Sequence, residues 1–514
     1  MGRPWLLAVD LGTTGLKVGV VAESGEILGR YATELTTTWT PDGGAEQDPA
    51  QWWDEVRTGT KHAVGASAVD PADLVGVAVT GQYASTVPVD ADGNAVGPCL
   101  LWADDRGGRY SRAAFGGVAA GYKPAAIVPW LRFTGGAPSP GGADPSGHAL
   151  FLRHERPEVY RRAALLLEPL DYLGLRFTGR AAATPASMVA SWLTDNRPGQ
   201  PARYVPSLVR LAGRDPGRLP QLLPSGSVLG GLLPDVARDL GLRADVPVVT
   251  GVPDLHAAYL ASGAVDEYAG HFTISTTAWV SCAVPWKKTD VRHQIASVPG
   301  VRPGQYLLID NHETAGACLQ WVRDALVRVP YDDLTALAAG APPGAGGVLF
   351  LPWLKGERSP VDDRTVRGGF LNLGVATGRA ELVRAVLEGV AYNMRWLVEA
   401  ADGFVGRRLD PLRVLGGGAQ SDLWCQVHAD VLGRRVERVA EPAYAQLRGA
   451  ALLALLALGR LRLDEVPDRV PAGDTFRPDP AATAGYERLY REFAGAYGRL
   501  KGLYRRLNSR EGGP

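Results

Sequence analysis

Two aspartates in this chain each follow a short apolar segment of the kind that forms a buried strand. Asp10 comes directly after the apolar segment 5–9. Asp254 comes after the apolar segment 246–250 and a Gly-x-Pro turn. Asp10 precedes a turn of small residues, where one carboxylate suits a hydrated Mg²⁺ that nucleotide phosphates also bind. Asp254 could accept the proton of a substrate hydroxyl. A helix N-cap is an equal alternative for Asp254.

Two turns of small, hydroxyl-bearing residues suit phosphate oxygens. In the first, Thr13 and Thr14 lie between glycines, and Lys17 follows on the next strand, where it could balance charge. Amide N–H and hydroxyl groups bind phosphate oxygens, and glycine lets a ligand approach the backbone closely. The second turn, Ser-Thr-Thr centred on Thr276, is similar. Two such turns from two domains could hold a triphosphate, although a plain hairpin is the alternative for the first.

Three consecutive glycines, 416–418, precede Ala419 between a predicted strand and a predicted helix. They allow close approach by a flat ring or a phosphate, and a tight strand–helix turn is the alternative. The pattern is not GxGxxG, and no acid stands at the spacing expected for a nicotinamide ribose. The triple glycine is therefore a weak basis for a nicotinamide site.

Trp102, Asp104 and Arg106 form a trio that suits a sugar, because an aromatic face stacks on the ring and polar groups bind hydroxyls. A surface ion pair between Asp104 and Arg106 is the alternative. His256 lies two residues after Asp254 and could touch a substrate. The histidines have no metal-ligand spacing, so no metal centre built on histidine is expected.

Composition excludes several classes of protein. The 514 residues are enough for two large domains or three of average size. With 54 basic and 54 acidic residues, no chain-wide basic field attracts nucleic acid. Four scattered cysteines favour reduced thiols, no apolar run is long enough to span a bilayer, and the start has no signal-peptide core. We expect a soluble cytoplasmic protein without nucleic acid or membrane partners.

The elements that position these residues are repeated. Residues 5–31 predict three antiparallel strands joined by tight turns, unlike the strand–helix unit of a dinucleotide-binding fold. Residues 271–283 again predict a strand, a turn of small residues and a strand. This weak internal duplication predicts two similar domains, with a boundary near 254–265.

The C-terminal tail predicts one long helix with a single apolar stripe. Packing on the parent domain is the first expectation for the stripe, and a homodimer seam is the alternative. Its members are Tyr486, Tyr490, Phe493, Tyr497, Leu500, Tyr504 and Leu507.

The motifs, taken in order, resemble those of the FGGY carbohydrate kinases, and most of all their xylulose-kinase-like subgroup. The similar segments span nearly the whole chain; they are Asp-Leu-Gly-Thr-Thr at 10–14, Gly-Gln at 81–82, Leu-Trp-Ala-Asp-Asp-Arg at 101–106, Asp-Tyr-Leu-Gly-Leu-Arg-Phe-Thr-Gly at 171–179, the segment 347–360 with Leu-Pro-Trp-Leu-Lys-Gly-Glu-Arg-Ser-Pro at its end, Leu-Gly-Gly-Gly-Ala at 415–419, Ala-Asp-Val-Leu-Gly at 429–433 and Gly-Ala-Ala at 449–451. The resemblance implies an α/β fold of the sugar kinase–actin–Hsp70 superfamily, with two actin-like (ribonuclease H-like) domains around a central cleft.

The resemblance also implies a division of the chain and of its site. Residues 1–257 would form the sugar-binding domain, 258–462 the ATP-binding domain and 463–514 a helical extension. Asp254 would be the catalytic base, and Asp10 would help to hold Mg²⁺. The sugar would meet Gln82, Tyr83, Trp102, Asp104, Asp254 and His256. ATP would meet Thr13, Thr14, Lys17, Thr276, Gly316, Gln320, Gly418, Ala419 and Asp422.

The sequence departs from the family pattern at three places. Tyr83-Ala84 replace the Met-His usual in xylulose kinases, Leu255 replaces an Asn or Gln, and Ser275 replaces a glycine in the second phosphate turn. Two sugar contacts are therefore lost or changed, and the side chain of Ser275 could either crowd or bind the phosphate.

We expect an ATP- and Mg²⁺-dependent kinase of a sugar or polyol hydroxyl, with a ketopentose such as xylulose as the first expectation. The alternatives are a kinase of a different ketose or polyol, a non-catalytic actin-fold protein that binds nucleotide or sugar, and a nicotinamide oxidoreductase built on the triple glycine.

Overall fold

The first sheet is built from the N-terminal half of the chain. The computed structural model describes residues 3–119 and 121–508. Trp5–Leu11, Gly15–Ala22 and Ile27–Glu34 form an antiparallel meander, and Trp5–Leu11 also pairs in parallel with Leu74–Gly81. The predicted meander is therefore confirmed. The order across the sheet is Val228–Gly231, Pro247–Val249, Leu74–Gly81, Trp5–Leu11, Gly15–Ala22 and Ile27–Glu34, and Val252–Pro253 also pairs with Leu74–Gly81.

The second sheet repeats this arrangement in the C-terminal half. Gly270–Ile274 pairs antiparallel with Ala278–Val284 and in parallel with Leu412–Leu415, as the duplication predicts. The order is Thr289–Asp290, Ile295–Pro299, Tyr306–Ile309, Ala278–Val284, Gly270–Ile274, Leu412–Leu415, Val436–Val439 and Ala472–Phe476, with Asn311–His312 added beside Ala278–Val284. The central strands are apolar and buried along their whole length because helices cover both faces.

Helices and short strand pairs complete both domains. The helices are Pro49–Ser67, Gly108–Phe115, Pro124–Phe133, Pro145–Glu155, Pro157–Arg162, Pro169–Thr178, Pro206–Leu211, Pro234–Leu240, Asp254–Ser262, Gly316–Val322, Tyr331–Ala339, Arg379–Val405, Asp422–Leu432, Ala445–Ala457 and Pro480–Asn508. The short strands are Thr38–Trp39, Ala45–Gln47, Val87–Val89, Cys99–Leu100, Gly116–Ala119, Leu165–Leu167, Ala182–Ala183, Gln221–Leu222, Leu349–Leu351 and Gly369–Leu371.

Two helices join the domains. Asp254–Ser262 leads from the first sheet to the second, and Ala445–Ala457 returns from the second sheet to pack on the first. Arg448 on the returning helix is buried, and its Nε donates to the Gly25 carbonyl oxygen at 2.7 Å. Where the helices cross, a Cβ atom on Gly449 would lie 1.9 Å from the Ala257 carbonyl oxygen. Only glycine allows this crossing.

The tail helix packs on the second domain, which agrees with the first expectation for its apolar stripe. Tyr486 and Phe493 are buried, and the Phe493 ring lies 5.7 Å from the Trp353 ring. The segment from 463 onward is more than helix, since Ala472–Phe476 is the edge strand of the second sheet. The homodimer stays a prediction.

The four cysteines are buried and unbridged, in line with the expected reduced thiols. Over residues 3–119 and 121–508, no helix is both long and apolar enough to cross a membrane.

We predict that Gly449→Ala destabilises the protein by about 3 kcal/mol or more, because the new methyl group overlaps backbone and not a movable side chain. Gly485→Ala is the matched control, since it also lies in a helix and a Cβ there meets nothing within 4 Å. The control should be neutral or stabilise by about 0.5–1 kcal/mol. Thermal unfolding midpoints compare them, and equal midpoints would contradict the close crossing.

Candidate active site

Asp10 and Asp254 lie at the same edge of the first sheet. Asp10 pairs with Thr80 from one side, and Val252, just before Asp254, pairs with Thr80 from the other. All three strands are parallel, so their carboxyl ends meet at this edge. Asp254 opens the helix Asp254–Ser262, and its Oδ1 accepts the N–H of Leu255 at 2.8 Å. The sheet thus brings the two predicted acids together.

The charges of the two aspartates act on each other. Burial, together with the negative charge of Asp10, raises the pKa of Asp254 to about 7, although the hydrogen bond from the Leu255 N–H opposes that rise. Burial also raises the pKa of Asp10, but Lys17, with Nζ 3.5 Å from Oδ2, opposes that rise. A carboxylate with a pKa near 7 is well matched to proton transfer at neutral pH. Asp254 has the properties of a general base.

The two hydroxyl-bearing turns are held in the same way. The Thr14 carbonyl oxygen accepts the N–H of Leu35 at 3.0 Å, and the Thr276 carbonyl oxygen accepts the N–H of Ala315 at 2.9 Å. Thr14 and Thr276 are exposed. Both turns therefore present a threonine to solvent on a backbone that the next segment fixes.

The Ser275 hydroxyl and the Gly316 N–H both make hydrogen bonds inside the second turn. The Ser275 hydroxyl donates to the Thr277 carbonyl oxygen at 3.1 Å, so it closes its own turn. The Gly316 N–H, predicted to meet phosphate, donates to the Ser275 carbonyl oxygen at 2.7 Å. The Gly316 amide therefore supports the turn, and a Cβ at this position would lie 2.6 Å from the same Ser275 oxygen, so the close approach requires glycine. Gln320, one helical turn later, is exposed.

Thr13 belongs to a hydrogen-bond network on the sugar side. Its hydroxyl donates to Gln82 Oε1 at 3.1 Å and accepts from Trp102 Nε1 at 3.0 Å. Gln47 closes the network, because its Nε2 donates to the Thr13 carbonyl oxygen at 2.7 Å and its Oε1 accepts from Gln82 at 3.2 Å. The Thr13 side chain thus orients Gln82 and Trp102, where the sequence predicted a phosphate contact.

Asp104 is turned away from the expected sugar contact. It is fully buried and accepts hydrogen bonds from the Ala45 N–H at 3.1 Å and from Arg106 Nε at 3.1 Å. The ion-pair alternative for this trio is therefore correct, although the pair is buried and not at the surface. Its carboxylate is used to fix the loop that carries Trp102.

His256 also lies away from the expected sugar contact. Its exposed fraction is 0%, and its Nε2 lies 2.8 Å from the Pro299 carbonyl oxygen of the second sheet. Burial lowers the pKa of His256 to about 4. Successive helical residues rotate by about 100°, so a residue two positions after Asp254 faces nearly the opposite side. The predicted substrate contact for His256 does not fit this geometry.

The triple-glycine segment lies against the second phosphate turn. A Cβ on Gly418 would lie 2.4 Å from Cγ2 of Ile274, the residue just before Ser275. Ala419 is buried, and its carbonyl oxygen accepts from Arg438 Nη1 at 3.2 Å. The same Nη1 donates to Asp422 Oδ1 at 2.6 Å, and Asp422 is exposed. The segment and the turn end neighbouring parallel strands, whereas the strands of Asp10 and Asp254 lie on either side of a shared parallel strand.

Tyr83, a predicted sugar contact, lies among three residues that were not singled out from the sequence: Gln47, Glu168 and Arg358. Tyr83 lies within electrostatic reach of Asp254, Arg358 and Glu168, and burial with the Asp254 charge raises the pKa of its hydroxyl. Glu168 Oε2 accepts the Ser85 N–H at 3.1 Å, which fixes the loop after Tyr83. Arg358 belongs to the segment 351–360, which is one of the segments similar to the family. No motif or spacing in the sequence pointed to Glu168 or Gln47.

Opposite walls of this site come from different domains. Arg358 Nε donates to Glu313 Oε1 at 2.8 Å, so the second domain holds this guanidinium in its position near Tyr83. At the rim, Lys355 Nζ lies 5.6 Å from the centre of the Trp39 ring. The two domains therefore enclose the space into which Asp254 faces.

Known proteins resemble the chain along its whole length. The model of the FGGY family of carbohydrate kinases matches in its N-terminal domain at residues 5–113 and 147–261, and in its C-terminal domain at residues 271–458. A xylulose kinase of Escherichia coli (strain K12) is 30% identical over 96% of this chain and 99% of its own. A gluconokinase of Bacillus subtilis (strain 168) is 26% identical over 94% of this chain and 93% of its own.

A solved structure supports the fold. The crystal structure of a xylulose kinase from Rhodospirillum rubrum is 27% identical, covers 97% of this chain and 99% of its own, and superposes with a TM-score of 0.80. The two sheets are therefore the two actin-like domains expected for sugar kinases, and the nicotinamide and non-catalytic alternatives are set aside. The chain belongs to the FGGY family of carbohydrate kinases and is a carbohydrate kinase.

Proposed function

We propose that this kinase transfers the γ-phosphoryl group of ATP to a hydroxyl of a ketopentose such as xylulose. The observation that carries the proposal is Asp254, a carboxylate with a pKa near 7 at the meeting point of the sugar-side network and the first phosphate turn. The similarity to xylulose kinases over nearly the full chain supports the choice of sugar.

The proposed reaction is an in-line displacement. The sugar hydroxyl binds beside Asp254, which takes its proton as the oxygen bonds to the γ-phosphorus and the bond to the β–γ bridging oxygen breaks. Thr14 and Thr276 bind phosphate oxygens from the two domains. Positioning and stabilisation of charge account for most of the rate in such transfers. Enclosure by both domains excludes water, which would otherwise take the phosphoryl group.

Asp10 fits the predicted Mg²⁺. It is one buried, hard oxygen ligand beside the first phosphate turn, with Lys17 to offset its charge. In the described chain, no group of three or more acidic, histidine or cysteine side chains could hold a metal ion. This suits Mg²⁺, which binds through one or two carboxylates and the phosphates of its nucleotide. Bound with ATP, Mg²⁺ supplies neutralisation of phosphate charge.

A sugar acid such as gluconate is the second candidate, because a guanidinium, Arg358, lies near Tyr83 on the sugar side. The similarity of the chain to a gluconokinase supports this second candidate. The charge of Arg358 is already offset by Glu313, which Arg364 also contacts at 2.7 Å. An already neutralised guanidinium favours an uncharged sugar, so the ketopentose is preferred.

The substrate prediction is tested by ADP release from Mg²⁺-ATP with a panel of D-xylulose, D-ribulose, D-fructose, D-gluconate and glycerol. We expect the highest kcat/KM with D-xylulose, by about tenfold or more over each other compound. A preference for gluconate that Arg358→Gln abolishes would replace the ketopentose with the sugar acid. ADP release that no compound stimulates would contradict both candidates.

Asp254→Asn should lower turnover by about 10²- to 10⁴-fold, the range for losing a general base. The same variant should be more stable than the wild type at pH 8. The raised pKa means that the charged carboxylate is unfavourable in the folded state above pH 7, and asparagine removes that charge. The gain in unfolding midpoint should be a few degrees at pH 8 and vanish near pH 4.

Asp235→Asn, at an exposed aspartate on another helix, is the control and should change neither quantity. A merely structural role for Asp254 would instead make Asp254→Asn less stable at pH 8, with turnover falling only in proportion to the folded fraction.

The pH dependence of kcat/KM should show an acid limb near pH 7, because Asp254 must be deprotonated to accept a proton. Asp10→Asn should move this limb to lower pH, since it removes the negative charge that raises the pKa of Asp254. The residual activity of that variant, followed from pH 5 to 9, measures the shift. A limb that stays in place would show that the two carboxylates do not interact.

A further inference from the structure

A cavity of about 660 Å³ opens on the first domain, apart from the residues of the active site. The helix Pro206–Leu211 and the connection from Gly213 to Leu222 frame it, and Arg153 reaches it from the helix Pro145–Glu155. Its walls are mainly apolar, with Val209, Leu219 and Leu222 among them. The cavity is large enough for a small organic molecule.

The charged residues that line this cavity all have the same sign. Arg153, Arg210 and Arg214 line it, and none of the lining residues is acidic. In the described part of the chain, none of the three forms an ion pair. Three unpaired arginines in one place are unusual in this protein, because most of its arginines form ion pairs with carboxylates. A second surface cavity, for example, contains the ion pair of Arg57 with Asp239.

Arg214 is the deepest of the three, with an exposed fraction of 6%. Within the described residues, its guanidinium makes one hydrogen bond, from Nη1 to the Pro145 carbonyl oxygen at 3.1 Å. Burial lowers the pKa of Arg214, and the negative charges of Asp144 and Glu168, which lie within electrostatic reach, oppose part of that shift. Among the described residues neither carboxylate forms an ion pair with Arg214, so the guanidinium has lost hydration without a direct charged partner.

We propose that this cavity binds a small organic anion, with a phosphate or carboxylate on the arginines and an apolar body against the hydrophobic walls. Guanidinium groups bind either anion through paired hydrogen bonds. Positive side chains that line a cavity with low-dielectric walls and form no ion pair there concentrate anions. The apolar lining favours a ligand larger than an inorganic ion.

The cavity is connected to the sugar side through one residue. Arg214 lies within electrostatic reach of Glu168, the carboxylate that binds the Ser85 N–H. Ser85 in turn accepts a hydrogen bond from the Trp102 N–H at 3.0 Å. The anion site therefore borders the framework of the sugar-binding residues, although it does not open into their space.

Isothermal titration with three probes tests the proposal on the full chain. Phenyl phosphate carries the anion and the apolar body, inorganic phosphate carries only the anion, and benzyl alcohol carries only the body. ADP and Mg²⁺ are kept in excess, so that the nucleotide site is filled. We expect phenyl phosphate to bind at least tenfold more tightly than either fragment, and benzoate in a further titration distinguishes a carboxylate from a phosphate.

Variants test whether phenyl phosphate binds in this cavity. Arg153→Gln with Arg210→Gln removes two exposed charges without touching the buried Arg214, and it should weaken phenyl phosphate binding by about tenfold or more. Arg238→Gln, at another exposed arginine of the same domain, is the matched control and should bind as the wild type does. Thermal unfolding midpoints check that all three proteins are folded. Absence of phenyl phosphate and benzoate binding, or equal affinity in the double variant and the control, would overturn the proposal.

Discussion

The repulsion between two carboxylates at one edge of the first sheet is the constraint on which this active site depends. Asp10 and Asp254 are brought together because their strands are parallel neighbours of the same strand. Each is shielded from bulk water, and each raises the energy of the other's charge. The fold tolerates this arrangement because Lys17 offsets one charge and a backbone N–H binds the other. A site that is electrostatically unfavourable when empty is suited to binding a cation and a proton.

The second domain repeats the geometry of the first without its charges. In both, a hairpin turn and a small-residue segment end neighbouring parallel strands, so the two hydroxyl-bearing turns are related by the duplication. The copies have diverged at this edge: both have a turn with hydroxyls, but the first adds two aspartates and the second adds three consecutive glycines. One domain is thereby suited to proton transfer, and the other to a nucleotide.

The contact at Gly449 fixes how the two halves meet. The helices that cross there belong to one buried apolar cluster that takes residues from both domains, with Leu6 and Ala8 from the first and Trp279 and Leu307 from the second among them. The two domains are therefore joined by an apolar core as well as by the chain. The sugar-side network and the arginine-lined cavity both lie in the first domain.

The sequence by itself determined the strands, the turns and the two acids, because apolar periodicity, glycine and the end of a strand are local signals. The meander at 5–31, the long helices and the duplicated hairpin followed from these signals. Only the tertiary structure decided the partners of polar side chains. Asp104 binds Arg106 and Ala45 inside the domain, His256 faces Pro299 because a helix turns it away, and Thr13 serves the sugar side. The arginines at 153, 210 and 214 form a cavity together only in the folded chain. Partner choice depends on residues distant in sequence, and no local pattern encodes it.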